Sequence, residues 1–305
     1  MRPSRIVLAA IAAGVVLVPF AVDGRFVWHI AILIGIKSLL ALSLHLMLRI
    51  GQLSLAQAGF MGMGAYASAL LTRDVGTPFL LGMSAGIAIP ALAAWLIGSV
   101  ILKVRGVNFA LLTFVLGEAI VLVFVEFVFP FGGNNGIMRI PPAAILGFTL
   151  RSRESFYVLV LVTTAVALLV VRAMLSGQPG QVLRGLERNE PLVQSLGIEA
   201  LAWRRFVFTV SAGIAGASGS LYAHYMGYIS PEAFNVTATI NALVMNVVGG
   251  VGAILGPLAG ALLLVPLPEL FRTALGWQQF LYGVSLLLLM VFLPQGLAGL
   301  ARRLK

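Results

Sequence analysis

The sequence predicts an all-α polytopic membrane protein, because it is strongly apolar and its apolar residues form long uncharged runs. Of its 305 residues, 60% are hydrophobic and only 10% are charged, and its mean hydropathy is +1.04. A soluble domain carries about 25% charged residues, so a soluble globular enzyme is excluded, and a disordered chain would need the opposite composition. A spanning helix needs about 20 apolar residues, and runs of roughly that length recur along the chain.

We predict ten segments that span or half-span the membrane. In chain order they are 6–22, 26–48, 53–72, 79–102, 107–129, 155–174, 206–227, 236–254, 257–272 and 278–294. The first follows Arg2 and Arg5 and is interpreted as an anchor, because the next apolar segment starts almost at once and no A-x-A cleavage site follows it. The uncharged run 233–268 is too long for one helix, so we divide it at its Gly and Pro residues.

Small residues are abundant, with 34 glycines in the chain, and they allow two interpretations. Patterns such as Gly82-x-x-x-Gly86 let membrane helices approach closely. Alternatively, the Gly-rich stretches 51–64 and 249–260 occupy corresponding places in two halves of the chain, where interrupted helices often surround a substrate path. Segments near these stretches are therefore either full spans or half-helices.

The basic residues predict the orientation. With both termini in the cytoplasm, 13 of the 20 lysines and arginines lie on the inner side and 6 on the outer side, while Lys37 lies within a span. Basic residues favour cytoplasmic loops. This bias also explains the net charge of +10 without a nucleic-acid partner.

The chain carries no recognisable catalytic or metal-binding constellation. It has no cysteine, hence no disulfide and no thiolate ligand, and His29, His45 and His224 are far apart in sequence, which argues against a metal site. No phosphate-binding G-x-x-x-x-G-K-[S/T] loop is present. Gly82-x-Ser-x-Gly86 lies in an apolar segment, not in the strand-to-helix turn of a nucleophile elbow. We predict that the chain is not an enzyme on its own.

Two polar loops interrupt the apolar segments, an external loop at 130–154 and a cytoplasmic loop at 176–205. In the second, Leu183, Leu186, Val193 and Leu196 recur at helical spacing. A helix restarting near Asn189 and ending at Gly197 completes a short amphipathic hairpin. Amphipathicity alone leaves two interpretations open: an interfacial helix that anchors the loop, or a surface that docks a partner.

Several motifs, in order, resemble those of one family. The stretch 180–198 resembles the cytoplasmic coupling loop of ABC-importer permeases. The stretch 51–66 (GQLSLAQAGFMGMGAY), the stretch 106–113 followed by Glu118, and the loop 132–136 resemble successive motifs of the branched-chain amino acid permeases, as do the segments 222–231, 249–257 and 268–269. The chain is identified as resembling the LivM-type permeases of that ABC-importer family over nearly its whole length.

The resemblance implies the fold, the partners and the location. It implies a single permease domain over 1–305, an ABC-importer permease fold with two pseudo-related halves, in the plasma membrane (the inner one where a cell has two). The implied partners are two ATP-binding subunits, a second related permease, an extracytoplasmic substrate-binding protein and membrane lipid. No cofactor is expected on this chain, since ATP would bind the partner subunits. Family substrates are branched-chain or other amino acids, and urea or short amides.

The resemblance also implies two groups of site residues. The ATPase-coupling loop would use Leu183, Arg184, Leu186, Glu187, Arg188, Asn189, Glu190 and Gly197. Its apolar face would enter a groove of the ATPase, with Glu187, Arg188 and Glu190 as charges at the rim. The translocation path would include Gln52, Ser54, Gln57, Glu118, Gly249 and Gly250.

Two intramembrane charges leave an alternative function open. A charge at the bilayer centre costs roughly 2.5–3.5 kcal/mol on insertion scales, and Lys37 and Glu118 each lie about midway along a predicted segment. Each could line a water-filled path or pair with other polar groups for structural reasons. A self-sufficient channel or ion-coupled carrier for a small solute such as urea or an amide would use both as coupling groups. Such a protein would not need the hairpin at 176–205.

Overall fold

The computed structural model describes residues 24–145, 148–150, 152–271 and 276–292. The predicted segment 6–22 and the end of the segment 278–294 lie outside the described residues. The helices are α1 (Arg25–Leu48), α2 (Gln57–Arg73), α3 (Phe79–Ile101), α4 (Gly106–Glu126), α5 (Val128–Phe131), α6 (Arg153–Leu175), α7 (Gly177–Arg188), α8 (Glu190–Ser195), α9 (Ala200–Met226), α10 (Val236–Gly249), α11 (Gly256–Leu264), α12 (Pro266–Leu270) and α13 (Gln278–Phe292).

Strands in the described residues are limited to short pairs. Strand β1 (Ile137–Met138) pairs antiparallel with β4 (Tyr228–Ile229), and β2 (Ala144–Ile145) pairs with β3 (Phe148–Thr149). Two 3₁₀ turns, Gly133–Asn135 and Pro231–Phe234, flank this region. The architecture is therefore all-α, as predicted.

Five helices are long and apolar enough to cross a membrane: α1, α3, α4, α6 and α9. They correspond to the predicted segments 26–48, 79–102, 107–129, 155–174 and 206–227. Helix α9 begins at Ala200, so the last residues of the predicted loop 176–205 belong to a spanning helix. The total of ten segments and the two related halves stay predictions.

Three predicted segments need correction. Helix α2 begins at Gln57, so the first residues of 53–72 are not helical. The segment 236–254 is wrong beyond Gly249, because Gly250 adopts φ +99° and ends α10. The segment 257–272 is interrupted at Val265 and ends early, because α11 ends at Leu264 and α12 runs from Pro266 to Leu270, and the proline ring cannot donate the hydrogen bond that an uninterrupted helix requires.

Helix α9 is the centre of the bundle and packs against α1, α2 and α3. Gly64 of α2, Gly86 of α3 and Gly216 of α9 meet where three backbones touch. A Cβ at Gly216 would lie 2.1 Å from the Gly86 carbonyl oxygen, and a Cβ at Gly64 would lie 2.3 Å from the Gly216 carbonyl oxygen. Neither distance is possible for a real side chain, so the crossing requires glycine. The close-packing interpretation of Gly82-x-x-x-Gly86 therefore holds for Gly86.

The connections separate into two ends of the bundle. At one end, Arg49 Nη1 donates to the Val251 carbonyl at 3.5 Å, and Arg105 reaches Glu190 in the loop helices. At the other end, β1 pairs with β4, and Arg153 Nη1 donates to the Arg25 carbonyl at 2.7 Å. The predicted loops 130–154 and 176–205 thus have contacts at opposite ends of the bundle, as the predicted topology requires.

We expect Gly216→Ala to destabilise the bundle, because the added methyl group must displace the backbone of α3. Overpacking of this kind typically costs about 1–3 kcal/mol. The matched control is Gly283→Ala, since Gly283 lies in helix α13 with nothing within 4 Å of its Cβ position. Thermal unfolding midpoints in detergent provide the measurement. Equal midpoints for the two variants would show that the three-glycine crossing is looser than described.

Candidate coupling and translocation sites

The loop at 176–205 contains the two short helices that the sequence predicted, with their boundaries set by Asn189 and Gly197. Asn189 Oδ1 accepts a hydrogen bond from the Leu192 N–H at 3.3 Å and so caps helix α8. Gly197 adopts φ +78°, and its N–H donates to the Gln194 carbonyl at 2.9 Å. The positive φ at Gly197 favours glycine, because residues with a Cβ are strained in this left-handed conformation.

The apolar face of the hairpin packs into this chain's own core. Leu183 is 0% exposed, Leu186 3% and Val193 5%. The prediction that these side chains enter a groove of a partner is therefore wrong, because the amphipathic helix α7 covers its own bundle with them. The apolar side chains that remain exposed are Leu192 and Leu196, at 59% and 72%.

Glu190 is also placed differently from the prediction. It was expected as a charge at the rim of a docking groove, but its side chain is only 7% exposed. Its Oε1 accepts from Arg105 Nη2 at 2.8 Å and from Gln194 Nε2 at 3.4 Å, and its Oε2 accepts from Arg204 Nη2. Glu190 therefore ties α8 to the start of α4 and to the first turns of α9, because two arginines at those helix ends neutralise it.

The remaining predicted coupling residues are on the surface. Arg184, Glu187, Arg188, Asn189 and Gly197 are all exposed. The backbone of α7 also passes close to the chain that follows α1, since a Cβ at Gly51 would lie 3.6 Å from the Cα of Glu187. The hairpin thus has an exposed charged side and lies close to the non-helical segment at 49–56.

This non-helical segment carries the first group of predicted path residues. Gln52, Ser54 and Gln57 are buried, at 3%, 0% and 0% exposure. The backbone is held by hydroxyl groups, since the Leu55 N–H donates to Thr113 Oγ1 at 3.0 Å and the Ala58 N–H donates to Thr239 Oγ1 at 2.9 Å. Because α2 starts only at Gln57, these N–H groups need such acceptors outside the helix.

The three side chains differ in how they are bonded. Gln57 Oε1 accepts from Ser43 Oγ at 3.2 Å, and its Nε2 donates to Ser211 Oγ at 3.0 Å, which joins α2 to α1 and α9. Among the described residues, no hydrogen-bond partner is found for either amide atom of Gln52 or for Ser54 Oγ. Gln57 is therefore part of a fixed network, while Gln52 and Ser54 keep hydrogen-bonding capacity for water or a polar solute.

Gly249 and Gly250 form the second non-helical segment, at the same end of the bundle as the first. A Cβ at Gly249 would lie 1.7 Å from the Gly256 carbonyl oxygen, so this glycine allows the end of α10 to pack closely against the start of α11. Next to it, Asn246 Nδ2 donates to the Ala41 carbonyl at 2.7 Å, and Asn246 Oδ1 lies 3.0 Å from His45 Nδ1. The structure thus brings the two interrupted stretches together beside α1.

Glu118 lies apart from these glycines. Its Oε1 accepts a hydrogen bond from the Val236 N–H at 3.1 Å, at the N-terminus of α10. That helix rises about 20 Å between Val236 and Gly249, so the structure does not bring Glu118 together with Gly249 and Gly250. A carboxylate at a helix N-terminus is stabilised by the exposed N–H groups there, which favours a structural role for Glu118.

Lys37 lines a half-open cavity whose other residues were not among the predicted path residues. The cavity has a volume of about 220 Å³, and its lining includes Lys37, Asn241, Glu269 and Tyr282. The sequence analysis did not single out Asn241 and Tyr282, because each is an isolated polar residue in an apolar segment. Their hydrogen bond joins α10 to α13, and the two residues are 41 positions apart in the sequence. Lys37 and Glu118 form no ion pair in the part of the chain described here.

The long apolar helices, the interrupted stretches and the polar interior define a multi-pass membrane protein of the permease class. A model of the family described as branched-chain amino acid transport system / permease component matches residues 26–293, and the chain belongs to this family. It is therefore a transport component rather than an enzyme.

Two curated relatives resemble the chain along nearly its full length. It is 29% identical over 322 aligned positions to the high-affinity branched-chain amino acid transport system permease protein LivM of Escherichia coli K12, covering 98% of this chain and 76% of the relative. The LivM protein of Salmonella typhimurium LT2 gives the same identity and coverage. No solved structure matches the chain.

We expect Glu190→Gln to loosen the hairpin, because it leaves two arginines facing a neutral amide and Arg204 is only 6% exposed. Breaking one side of a buried ion pair costs about 3–5 kcal/mol. Trypsin should then cleave after the exposed Arg184 and Arg188 several-fold faster, since local opening controls cleavage. The control is Glu199→Gln, an exposed residue of the same type. Identical cleavage rates in both variants would contradict the clamping role of Glu190.

Proposed function

We propose that this chain is a membrane-spanning permease subunit of an ATP-driven importer for branched-chain amino acids. The single observation that carries the proposal is the family match over residues 26–293, and the names of the two LivM relatives support the substrate class. Other small amino acids are the next candidates, because a permease in such a system receives its solute from a separate binding protein.

The assembly that we propose contains two ATP-binding subunits, a second related permease and an extracytoplasmic substrate-binding protein. ATP binds to the partner subunits, and this chain needs no cofactor. Both termini lie in the cytoplasm, so the end of the bundle with the α7–α8 hairpin faces the ATPases. The excess of basic residues on this side supports the orientation. In full, the permease has ten spanning or half-spanning segments in two related halves, within a single domain.

The loop at 176–205 is the proposed coupling element. The surface that contacts the ATPase consists of Arg184, Glu187 and Arg188 together with the exposed leucines Leu192 and Leu196. Exposed apolar side chains at a loop tip, rimmed by charges, are typical of a protein-binding patch. The buried Glu190 carries displacement of the loop to α4 and α9, because Arg105 immediately precedes α4 and Arg204 belongs to α9.

Displacement of the hairpin also reaches the proposed path. The backbone of α7 comes close to Gly51, next to Gln52 and Ser54 in the same segment. A rigid shift of the hairpin would therefore move a non-helical segment rather than a continuous helix, which requires fewer backbone hydrogen bonds to change. Gln52 and Ser54 supply hydrogen bonds to the moving solute, whereas Gln57 anchors the start of α2.

The alternative function as an ion-coupled carrier or channel has less support. It requires Lys37 and Glu118 to act together as coupling groups. Glu118 instead accepts a hydrogen bond from the start of α10, and a hairpin with a buried clamp and an exposed leucine pair serves no purpose in a self-sufficient channel.

The complex purified with a tagged chain should contain two ATP-binding chains and a second permease, and in proteoliposomes it should accumulate leucine only with ATP and binding protein. Leu196→Asp should lower uptake at least tenfold, because it puts a charge into the proposed apolar contact. The control is Val75→Asp, which alters a residue of 68% exposure at the opposite end of the bundle.

Two outcomes would contradict this proposal. A chain that purifies alone and transports solute without ATP would refute the importer itself. Full uptake by the Leu196→Asp complex would instead show that the importer exists but that its ATPases contact another surface.

A further inference from the structure

We propose that the cavity around Lys37 is a binding site for a small zwitterionic solute with an aliphatic side chain, in which Lys37 receives the carboxylate. The inference rests on the proposed importer function and adds a solute site that is separate from the polar segment at 52–57. It stands on the position of Lys37, its contacts and the composition of the cavity wall.

Lys37 lies in the middle of α1 and therefore deep in the membrane. It is the thirteenth residue of the helix Arg25–Leu48, which places it about 18 Å from the first residue at 1.5 Å per residue. A lysine at the centre of a spanning helix costs roughly 2.5–3.5 kcal/mol. Such residues usually face a cavity or a partner inside the bundle rather than lipid.

The contacts of Lys37 within the described residues do not neutralise it. Its Nζ lies 5.5 Å from the centroid of the Tyr222 ring, near the outer limit of about 6 Å for a cation–π contact. The ion pairs of the described chain involve Arg73, Arg105 and Arg204, so no described carboxylate lies within 4.0 Å of Lys37 Nζ. The ammonium group is therefore available to an anion that enters the cavity.

The rest of the wall suits a small amphiphilic solute. Apolar side chains such as Leu40, Met245 and Leu264 form most of the lining. The volume of about 220 Å³ is below the roughly 300–1,000 Å³ typical of pockets for drug-sized ligands, so the cavity fits a solute of few heavy atoms. An aliphatic side chain would bury its surface against this wall.

Polar groups stand on the same wall as Lys37. Tyr282 Oη donates to Asn241 Oδ1 at 3.3 Å, so the amide of Asn241 is oriented and its Nδ2 retains donors for a carboxylate. The second lone pair of Asn241 Oδ1 can accept from the ammonium group of the solute. A cation and an amide beside an apolar space thus provide contacts for the carboxylate, the ammonium group and the aliphatic side chain of a small zwitterion.

The natural absence of cysteine gives this site a direct test, because Lys37→Cys introduces the only thiol of the chain. The complete importer with this variant is reconstituted in proteoliposomes, and leucine uptake is measured together with the ATPase activity that leucine-loaded binding protein stimulates. We expect uptake to fall at least tenfold while the stimulated ATPase activity persists. The loss follows from the missing ammonium group, whereas ATP hydrolysis depends on the distant hairpin.

Chemical rescue separates charge from shape. Treatment of the Lys37→Cys complex with 2-bromoethylamine forms a side chain with a terminal ammonium group in place of the lysine, and we expect most of the lost uptake to return. Treatment with iodoethane adds a similar alkyl group without charge and should restore nothing. The unsubstituted importer, treated in the same way, corrects for thiols on the partner subunits.

Ligand protection tests which group Lys37 contacts. Leucine should slow alkylation of the thiol at position 37, whereas leucinol, which has the ammonium group and side chain but no carboxylate, should not. The variant Lys37→Met serves as a check on folding, since it removes a buried charge and should leave the thermal midpoint of the complex unchanged or higher.

Several results would overturn the site. Wild-type uptake by Lys37→Cys, or equal protection by leucine and leucinol, excludes carboxylate binding at Lys37. Loss of the second permease from the Lys37→Cys complex, without protection by leucine, would assign Lys37 to a subunit contact. If the unsubstituted importer fails to transport leucine, the proposed function fails instead, and the two failures are distinguished by that control.

Discussion

The close contact of three helix backbones at Gly64, Gly86 and Gly216 is the constraint on which the rest of the structure depends. In a membrane, helices gain no hydrophobic free energy by associating, because lipid is as apolar as their side chains. Dispersion contacts between backbones take over this role, and they require that no Cβ stands between the helices. The crossing fixes α9 at the centre of the bundle, so residues along α9 have defined neighbours at both membrane faces.

At the end of the bundle that carries the α7–α8 hairpin, this crossing gives Arg204 a fixed position near the start of α9. Glu190 reaches this arginine from the loop hairpin, and Arg105 closes the cluster from the start of α4. A buried carboxylate would be costly alone, but two guanidinium groups compensate for it. The hairpin is therefore tied to the ends of α4 and α9 by this cluster, in addition to the packing of Leu183, Leu186 and Val193 in the core.

The sequence predicted those features that depend on local chemistry. Long apolar runs located the five spanning helices, and Asn189 and Gly197 marked the helix boundaries in the loop because capping and positive φ favour those residue types. Features that depend on distant partners were not predictable. The start of α2 at Gln57 depends on Thr113 and Thr239 as acceptors for free backbone N–H groups, and neither residue is near in sequence.

The surroundings of Leu183, Leu186 and Glu190 were predicted wrongly for the same reason, because they depend on residues that are distant in the sequence. An amphipathic pattern shows that a face is buried, but it does not state whether the chain itself or a partner covers it. Here α7 lies on its own bundle, so its apolar face is used internally and only Leu192 and Leu196 remain exposed. Glu190 looked like a surface charge because its arginines are 85 and 14 residues away.

The two interrupted stretches explain how a rigid bundle could still transmit movement. Continuous membrane helices resist bending because every backbone group must stay bonded in lipid. The segments 49–56 and 250–255 are not helical: turn hydrogen bonds hold both of them, and Thr113 Oγ1 accepts from the Leu55 N–H in the first. Both lie beside α1 at the end that carries the hairpin, and Arg49 links them through Val251. The non-helical parts of the permease therefore lie at the end that carries the proposed coupling hairpin, while the helix that carries Lys37 remains continuous from Arg25 to Leu48.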